Sequence, residues 1–214
     1  MPTLVLASAS PARLSTLRSA GVEPVVVVSA VDEDDVVRRY GVTDAEDVAL
    51  VLAKAKAEDV AGRAEVPDAS VVLGCDSVLE LDGEVHGKPA DAAEAAARWR
   101  RMRGRAGVLH TGHWVVDTRD TGDGGTGATL GAVASTTVHF ASVTDDEIAA
   151  YVATGEPLRV AGAFTVDGLG GAFVRGVEGD HHTVVGLSLP MLRDLLGQIG
   201  VAWTTLWDDR PPAP

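Results

Sequence analysis

The 214-residue chain has a single cysteine, Cys75, so no internal disulfide can staple it, and its cysteine usage is compatible with a reducing compartment. No apolar run approaches the roughly 18 residues that a membrane-spanning helix needs. The N-terminus enters Leu4-Val5-Leu6 almost at once, without the charged lead and long apolar stretch of a secretory signal. Together these absences predict a cytoplasmic protein with no membrane partner. Positive charge is scarce too. With 18 Lys and Arg against 31 Asp and Glu the formal charge is −13, which repels nucleic-acid polymers and anionic bilayers alike. A small anionic substrate survives that exclusion, because a few clustered cations or a divalent metal can reverse the field locally. Neither G-x-S-x-G nor G-x-x-x-x-G-K-[ST] occurs, which argues against a serine-hydrolase elbow and a P-loop. His110 and His113, three apart on an expected strand, project to opposite faces, and the adjacent His181 and His182 diverge, so no zinc site is expected.

What is present reads as alternating strands and helices with one continuous core, a mixed α/β architecture. An apolar strand over 3–7 turns through Ser8-Ala9-Ser10-Pro11 into a helix that ends near Gly21. The valine-rich residues 22–29 predict a strand buried on both faces, ended by the acidic loop 32–35. Over 44–61 a helix is expected in which Val48, Leu52 and Lys56 share one stripe, turning Lys56 toward the core and Lys54 away. Val71 to Leu73 and Val78 to Leu81 flank Gly74-Cys75-Asp76-Ser77, and Asp82-Gly83 marks a hairpin turn. Asp91 and Glu94 open a helix carrying Trp99 and Met102. Strands over 107–117 and 131–143 are joined by a Gly- and Asp-rich connection, 118–127, read as exposed and mobile. A capping box at Thr144 and Glu147, a Gly-rich strand region over 160–177, and a last helix over 189–199 complete the reading. One domain over 1–206 and a polar, Pro-rich tail over 207–214 are expected.

Four features bear on chemistry. Ser8, Ser10 and Arg13 stand at a strand-to-helix turn, where unpaired N–H groups, the helix dipole and a forked cation suit phosphate; an ordinary cap with a surface arginine is the competing reading. Asp76 interrupts an apolar strand, where a carboxylate binds a divalent cation, takes a proton, or caps a turn. Lys56 and Lys88 supply opposite charge, the second in a stiff setting between Gly87 and Pro89, with an ordinary solvated loop lysine as its competing reading. Glu33 in the acidic run has the chemistry of a second hard-cation ligand beside Asp76, with Mg²⁺ or Mn²⁺ the matching metals; a solvated loop is the competing reading. By contrast the arginine-rich stretch 98–105 reads as a charged helix face of little functional weight.

LASASPARLSTLRSAG near the start, LAKAKA at 52–57, GCDSVLELDGEVHGKP at 74–89 and AGAFTVDGLGGAF at 161–173 together resemble the Maf family, in the family's order and over roughly residues 4–200. The resemblance implies an elongated α/β fold of the Maf/ITPase-like kind: a long mixed twisted sheet with flanking helices, two lobes around a central cleft, often a homodimer. It implies a house-cleaning nucleoside triphosphate pyrophosphatase acting on standard or modified nucleotides, with a link to septum formation. In that reading Ser8, Ser10 and Arg13 hold phosphates, Lys56 and Lys88 hold the triphosphate, Asp76 is the catalytic carboxylate and Glu33 assists the metal. Ala12, Ser77 and Asp167 stand where the family commonly has arginine, threonine and glutamine, and Val160 replaces a common lysine, so the base preference of better-marked subgroups does not transfer. The expected chemistry is metal-assisted water attack at the α-phosphate. The rival is a non-hydrolytic nucleotide-binding regulator of cell division, against which a strand-end carboxylate beside triphosphate argues, since it repels phosphate unless a cation intervenes.

Overall fold

In the computed structural model, which describes residues 2–207, the chain opens with β1 (Thr3–Leu6), α1 (Pro11–Ser19), the two-residue β2 (Val25–Val26), α2 (Glu33–Tyr40) and α3 (Ala45–Ala61). Then follow β3 (Ser70–Leu81), β4 (Glu84–His86), α4 (Ala92–Met102), β5 (Ala106–Asp117), β6 (Thr129–Phe140) and α5 (Asp145–Ala153). Three 3₁₀ turns lead to β7 (Val174–Glu178), α6 (His181–Val185) and α7 (Leu189–Gln198). Side-chain caps at Ser10, Asp44, Asp91, Thr144 and Ser188 each satisfy first-turn N–H groups that would otherwise lack partners.

The seven strands form one mixed sheet in the order β2-β1-β3-β5-β6-β7, with β4 also on β3. β1 pairs in parallel with β2 and β3, and every other ladder is antiparallel. Period-two alternation sends the even-numbered residues of β3 toward α3 and the odd-numbered ones to the opposite layers. Leu73 and Cys75 pack there with Leu17 of α1 and Leu192, Leu195 and Leu196 of α7. Farther along the strand, Leu79 and Leu81 join a second core with Trp99, Phe140, Ile148 and Tyr151. Aromatic residues are few in this chain, yet all three phenylalanines take part in that second core, where edge-on contacts at 5.0–5.8 Å link Trp99, Phe140, Tyr151, Phe164 and Phe173. One sheet thus carries two lobes.

On the α3 side, glycine makes the approach close. A Cβ at Gly74 would lie 2.1 Å from the Ala53 carbonyl oxygen, and one at Gly112 would lie 2.2 Å from that of Ala49. Both are helix backbone, so only hydrogen fits between helix and sheet. Lys54 has partners of its own, its ammonium lying 5.6 Å from the ring centre of Tyr40 and 5.3 Å from that of Trp114.

Four expectations fail for physical reasons. Residues 32–35 are no loop: Asp32 caps α2 and Glu33, Asp34 and Asp35 fill its first turn, where carboxylates complement the helix dipole, while Gly41 closes it in the left-handed region. The valine run 22–29 yields only the two residues of β2 at the sheet edge, leaving Val26 and Val28 half-exposed instead of buried on both faces. Over 160–177 the chain coils through 3₁₀ turns, with Gly162 and Ala163 at positive φ, and becomes a strand only at Val174. His181 and His182 likewise begin the short helix α6, and their rings meet at 5.6 Å. The 118–127 connection is tied down by Asp117, which accepts hydrogen bonds from Arg119 and Thr126 at 2.7–2.9 Å. Trp207 forms an isolated bridge with Val22, and the tail residues 208–214 lie outside the described part of the chain.

His113 is fully buried, and its Nε2 accepts the Ser188 N–H at 2.8 Å, so its proton sits on Nδ1. Burial, with the nearby Arg13 charge adding, pushes its pKa down to about 4. Between the ordinary value near 6.5 and about 4, the unfolded chain binds a proton that the folded chain refuses. Acidification through that window therefore lowers stability, by on the order of 3 kcal/mol for a shift of this size. Urea midpoints measured from pH 7 to pH 4.5 should fall, and His113→Gln should flatten the slope. An unchanged slope in that variant would assign the acid sensitivity elsewhere.

Candidate active site

β3 changes neighbours partway along its edge. It pairs with β1 up to Leu73 and with β4 from Leu79, so residues 74–78 pair with neither. The sheet is notched there, at the C-terminal end of parallel β1, the kind of strand-order break where open α/β sheets place their ligands. A cleft of about 1160 Å³ opens at the notch. Ser8, Ser10, Ala12, Arg13, Glu33, Lys56, Asp76, Ser77, Lys88 and Asp167 all line it, so the structure brings every sequence-selected residue to one hollow.

At its floor is Asp76, buried and directed at α3, whose close seating on Gly74 and Gly112 lets Lys56 reach down. The Lys56 ammonium donates to Asp76 Oδ1 and, at 2.6 Å, to Glu33 Oε1 from α2. Burial raises the Asp76 carboxyl above the ordinary aspartate range, outweighing the opposing pull of Lys56 and Arg13. At the exposed Glu33 the balance reverses: its partial desolvation is overcome by Lys56, Lys88 and Arg13, and its carboxyl lies below the usual range. Two neighbouring carboxyls are thus pushed in opposite directions, a pattern typical of sites that divide acid and base work. The thiol of Cys75, directed to the other face, is pushed up to about 12 by burial and is a core group.

Arg13 is fixed by three partners, two of them distant in sequence. Its Nε donates to the Gly186 carbonyl at 2.7 Å, Nη1 to Ser8 Oγ at 3.0 Å and Nη2 to Ser77 Oγ at 3.2 Å. Thr111 Oγ1 donates its one proton to the Thr183 carbonyl at 2.9 Å, so at its 2.9 Å contact with Ser77 it must accept. Directions along the chain are then unique: Arg13 to Ser77, Ser77 to Thr111, Thr111 to α6. Two of the five guanidinium N–H groups remain for a ligand. Ser10 caps α1 through the Arg13 N–H at 3.3 Å, and the N-terminus of that helix faces the cleft.

Lys88 is exposed on the loop after β4, and Asp167 is exposed on the segment facing it. Sequence reasoning missed what holds that segment. Glu156 accepts from the Tyr151 hydroxyl at 2.8 Å, the Thr165 hydroxyl at 2.6 Å, and the N–H groups of Leu169 and Gly170 at 3.0 and 3.1 Å. The one local signal was its place between Gly155 and Pro157, a charge set in helix-breaking residues. Thr111, Thr183 and Gly186 were missed as well, because hydrogen bonds spanning 34 to 173 residues leave no spacing to read.

Glu33 and Asp76 fit a divalent cation. Each spends one oxygen on Lys56, and the other carries none of the hydrogen bonds formed among the described residues. Hard oxygen donors in that number suit Mg²⁺ or Mn²⁺, which commonly take one or two carboxylates and complete their shell with water and substrate phosphate. Among the described residues no three His, Cys, Asp or Glu side chains form a ready-made cage.

The family model described as Maf-like protein matches residues 3–199. A relative from Salinispora tropica, named nucleoside triphosphate pyrophosphatase, is 58% identical over 206 residues, covering 95% of this chain and 87% of its own. A relative of the same name from Streptomyces avermitilis is 57% identical over 207 residues, covering 97% of this chain and 95% of its own. The solved structure of a nucleoside-triphosphatase / dITP/XTP pyrophosphatase from Mycobacterium abscessus is 18% identical and covers 66% of this chain and 75% of its own; its TM-score of 0.34 is too low to bear on the fold. With the ordered motif blocks, the notched sheet and a family match over nearly the whole length, the chain belongs to the Maf-like protein family.

Proposed function

We propose that the protein hydrolyses nucleoside triphosphates to the monophosphate and pyrophosphate. The observation that carries this reading is the Asp76–Lys56–Glu33 cluster facing Arg13 and Lys88 across one cleft, three cations and two carboxylates around a triphosphate-sized space. The shared name of the full-length relatives supports the same activity.

In this mechanism the α1 N-terminus, Ser8, Ser10 and Arg13 seat phosphate oxygens, and Lys88 closes on the triphosphate from the opposite loop. Lys56 spends two of its three N–H donors on Asp76 and Glu33 and offers the third to phosphate. The water oxygen bonds to the α-phosphorus as Asp76 takes the water's proton; the bond from the α-phosphorus to the α–β bridging oxygen breaks, and its electron pair leaves on pyrophosphate. Glu33 and Asp76 would hold a divalent cation, which when bound would supply positive charge against the phosphates. The cations stabilise the charge that grows on the leaving group, an effect worth several kcal/mol in a water-poor site. Ala12, Ser77 and Asp167 are the candidates for base selection. A cytoplasmic homodimer, as the family resemblance implies, is the cellular form that goes with this reading.

The test is product analysis. Standard and modified triphosphates are incubated with the protein and Mg²⁺, Mn²⁺ or Co²⁺, and pyrophosphate is separated from orthophosphate. Monophosphate and pyrophosphate should appear in equal amounts, stop with a chelator and return with the metal. Orthophosphate release would make the protein a phosphatase, and binding without turnover would make it a nucleotide sensor.

A further inference from the structure

One arginine in the stretch that reads as a charged helix face is not on the surface. Side chains of Arg100, Arg101, Arg103 and Arg105 are 39–51% exposed, whereas that of Arg98 is 4% exposed. Burying a guanidinium is costly unless its donors are used. Arg98 uses its own on the loop that carries Lys88: Nη1 donates to the Gly87 carbonyl at 2.5 Å and Nη2 to Glu94 Oε1 at 2.5 Å. The other oxygen of Glu94 accepts the Ala90 N–H at 2.8 Å. Residues 87–90 are therefore clipped at both ends by one helical pair, with Lys88 between the clips. From the far side the Gly162 N–H reaches the same Gly87 carbonyl at 3.1 Å, and Trp99, next to Arg98, donates to the Ala163 carbonyl at 2.8 Å. α4 holds both loops on this wall of the cleft.

We propose that Arg98, with Glu94, is a positioning pair that sets the Lys88 ammonium for the triphosphate. This rests on the reading of Lys88 as a substrate contact. The pair does not touch substrate; it removes the freedom of the four-residue loop, so that binding need not order it. Displacing a charged contact by about an ångström is enough to lower turnover by up to about a hundredfold.

The experiment is a double-mutant cycle on kcat/KM for a nucleoside triphosphate with Mg²⁺, with thermal midpoints recorded for each variant. Lys88→Ala alone should lower kcat/KM by about a hundredfold, and Arg98→Met alone by about tenfold, with KM rising more than kcat falls. On the Lys88→Ala background, Arg98→Met should cost less than about twofold, while its effect on the midpoint stays the same in both backgrounds. Glu94→Ala, at a half-exposed position, should show the same dependence on Lys88 and serves if Arg98→Met does not fold. A full tenfold loss in both backgrounds overturns the proposal, since it marks a general structural role. Unchanged kcat/KM in both Arg98→Met and Glu94→Ala overturns it too, while leaving Lys88 as a contact. If Lys88→Ala itself is harmless, the contact reading and the positioning role fall together.

Discussion

Asp76→Asn should lose at least about a thousandfold in kcat for pyrophosphate release while remaining folded. A positioned general base contributes about a hundred- to ten-thousandfold, and this change also removes one of the two carboxylates that fit a cation. The fold should tolerate it because asparagine fills the same volume, its amide oxygen can still accept from Lys56, and Lys56 keeps Glu33 at 2.6 Å. The charged form of Asp76 is itself a burden. A carboxyl whose pKa is raised by burial costs stability above that pKa and is relieved below it, so losing the charge removes a penalty near neutral pH. The thermal midpoint should stay within about 4 °C of the parent, roughly 1 kcal/mol for a chain of this size. Turnover within tenfold of the parent would take Asp76 out of the reaction.

Gly112→Ala should destabilise the fold strongly. The added carbon would meet the carbonyl oxygen of Ala49 at 2.2 Å, its carbonyl carbon at 2.5 Å and the Leu50 nitrogen at 2.8 Å. All three are α3 backbone, with no rotamer to change, so the helix itself must shift. Overpacking of this severity costs about 3 kcal/mol, or roughly 10 °C in thermal midpoint. Activity should fall further than stability, because α3 carries Lys56 above Asp76 and displacement of about 1 Å lowers turnover up to a hundredfold. Gly197→Ala is the control: nothing lies within 4 Å of the new carbon inside α7, and an unchanged or slightly higher midpoint is expected. Parent-like stability in Gly112→Ala would mean that helix and sheet are not in contact there.

These two sites differ in how far they could be read beforehand. Asp76 was legible because a charge in an apolar strand violates a strong local pattern, and Lys56 because four-residue spacing with Val48 and Leu52 put it on the inward stripe, where it is buried. Glu33 is legible as a ligand type but not in its element: an acidic run looks solvated, and only Asp32 as the cap and Gly41 as the stop mark a helix there. The valine run misled for the opposite reason, since β-branched residues mark strand preference and say nothing of whether a strand lies at the sheet edge. In the 160–177 segment the path depends on Glu156 accepting from Leu169 and Gly170. No local propensity encodes that tether. Arg98 shows the same limit, for only the fold brings the Gly87 carbonyl to its guanidinium.

β3, β5 and β6 each run for twelve residues, spanning both cores without a break. Enzymes that clamp down on nucleotides often do so by swinging two bodies about a flexible joint. Here the two cores are joined by the shared rungs of three strands, with no linker between them in the sheet. The two walls of the cleft thus rise from one continuous sheet, and the stretch carrying Lys88 and the coil anchored on Glu156 are held at its rim by side-chain tethers.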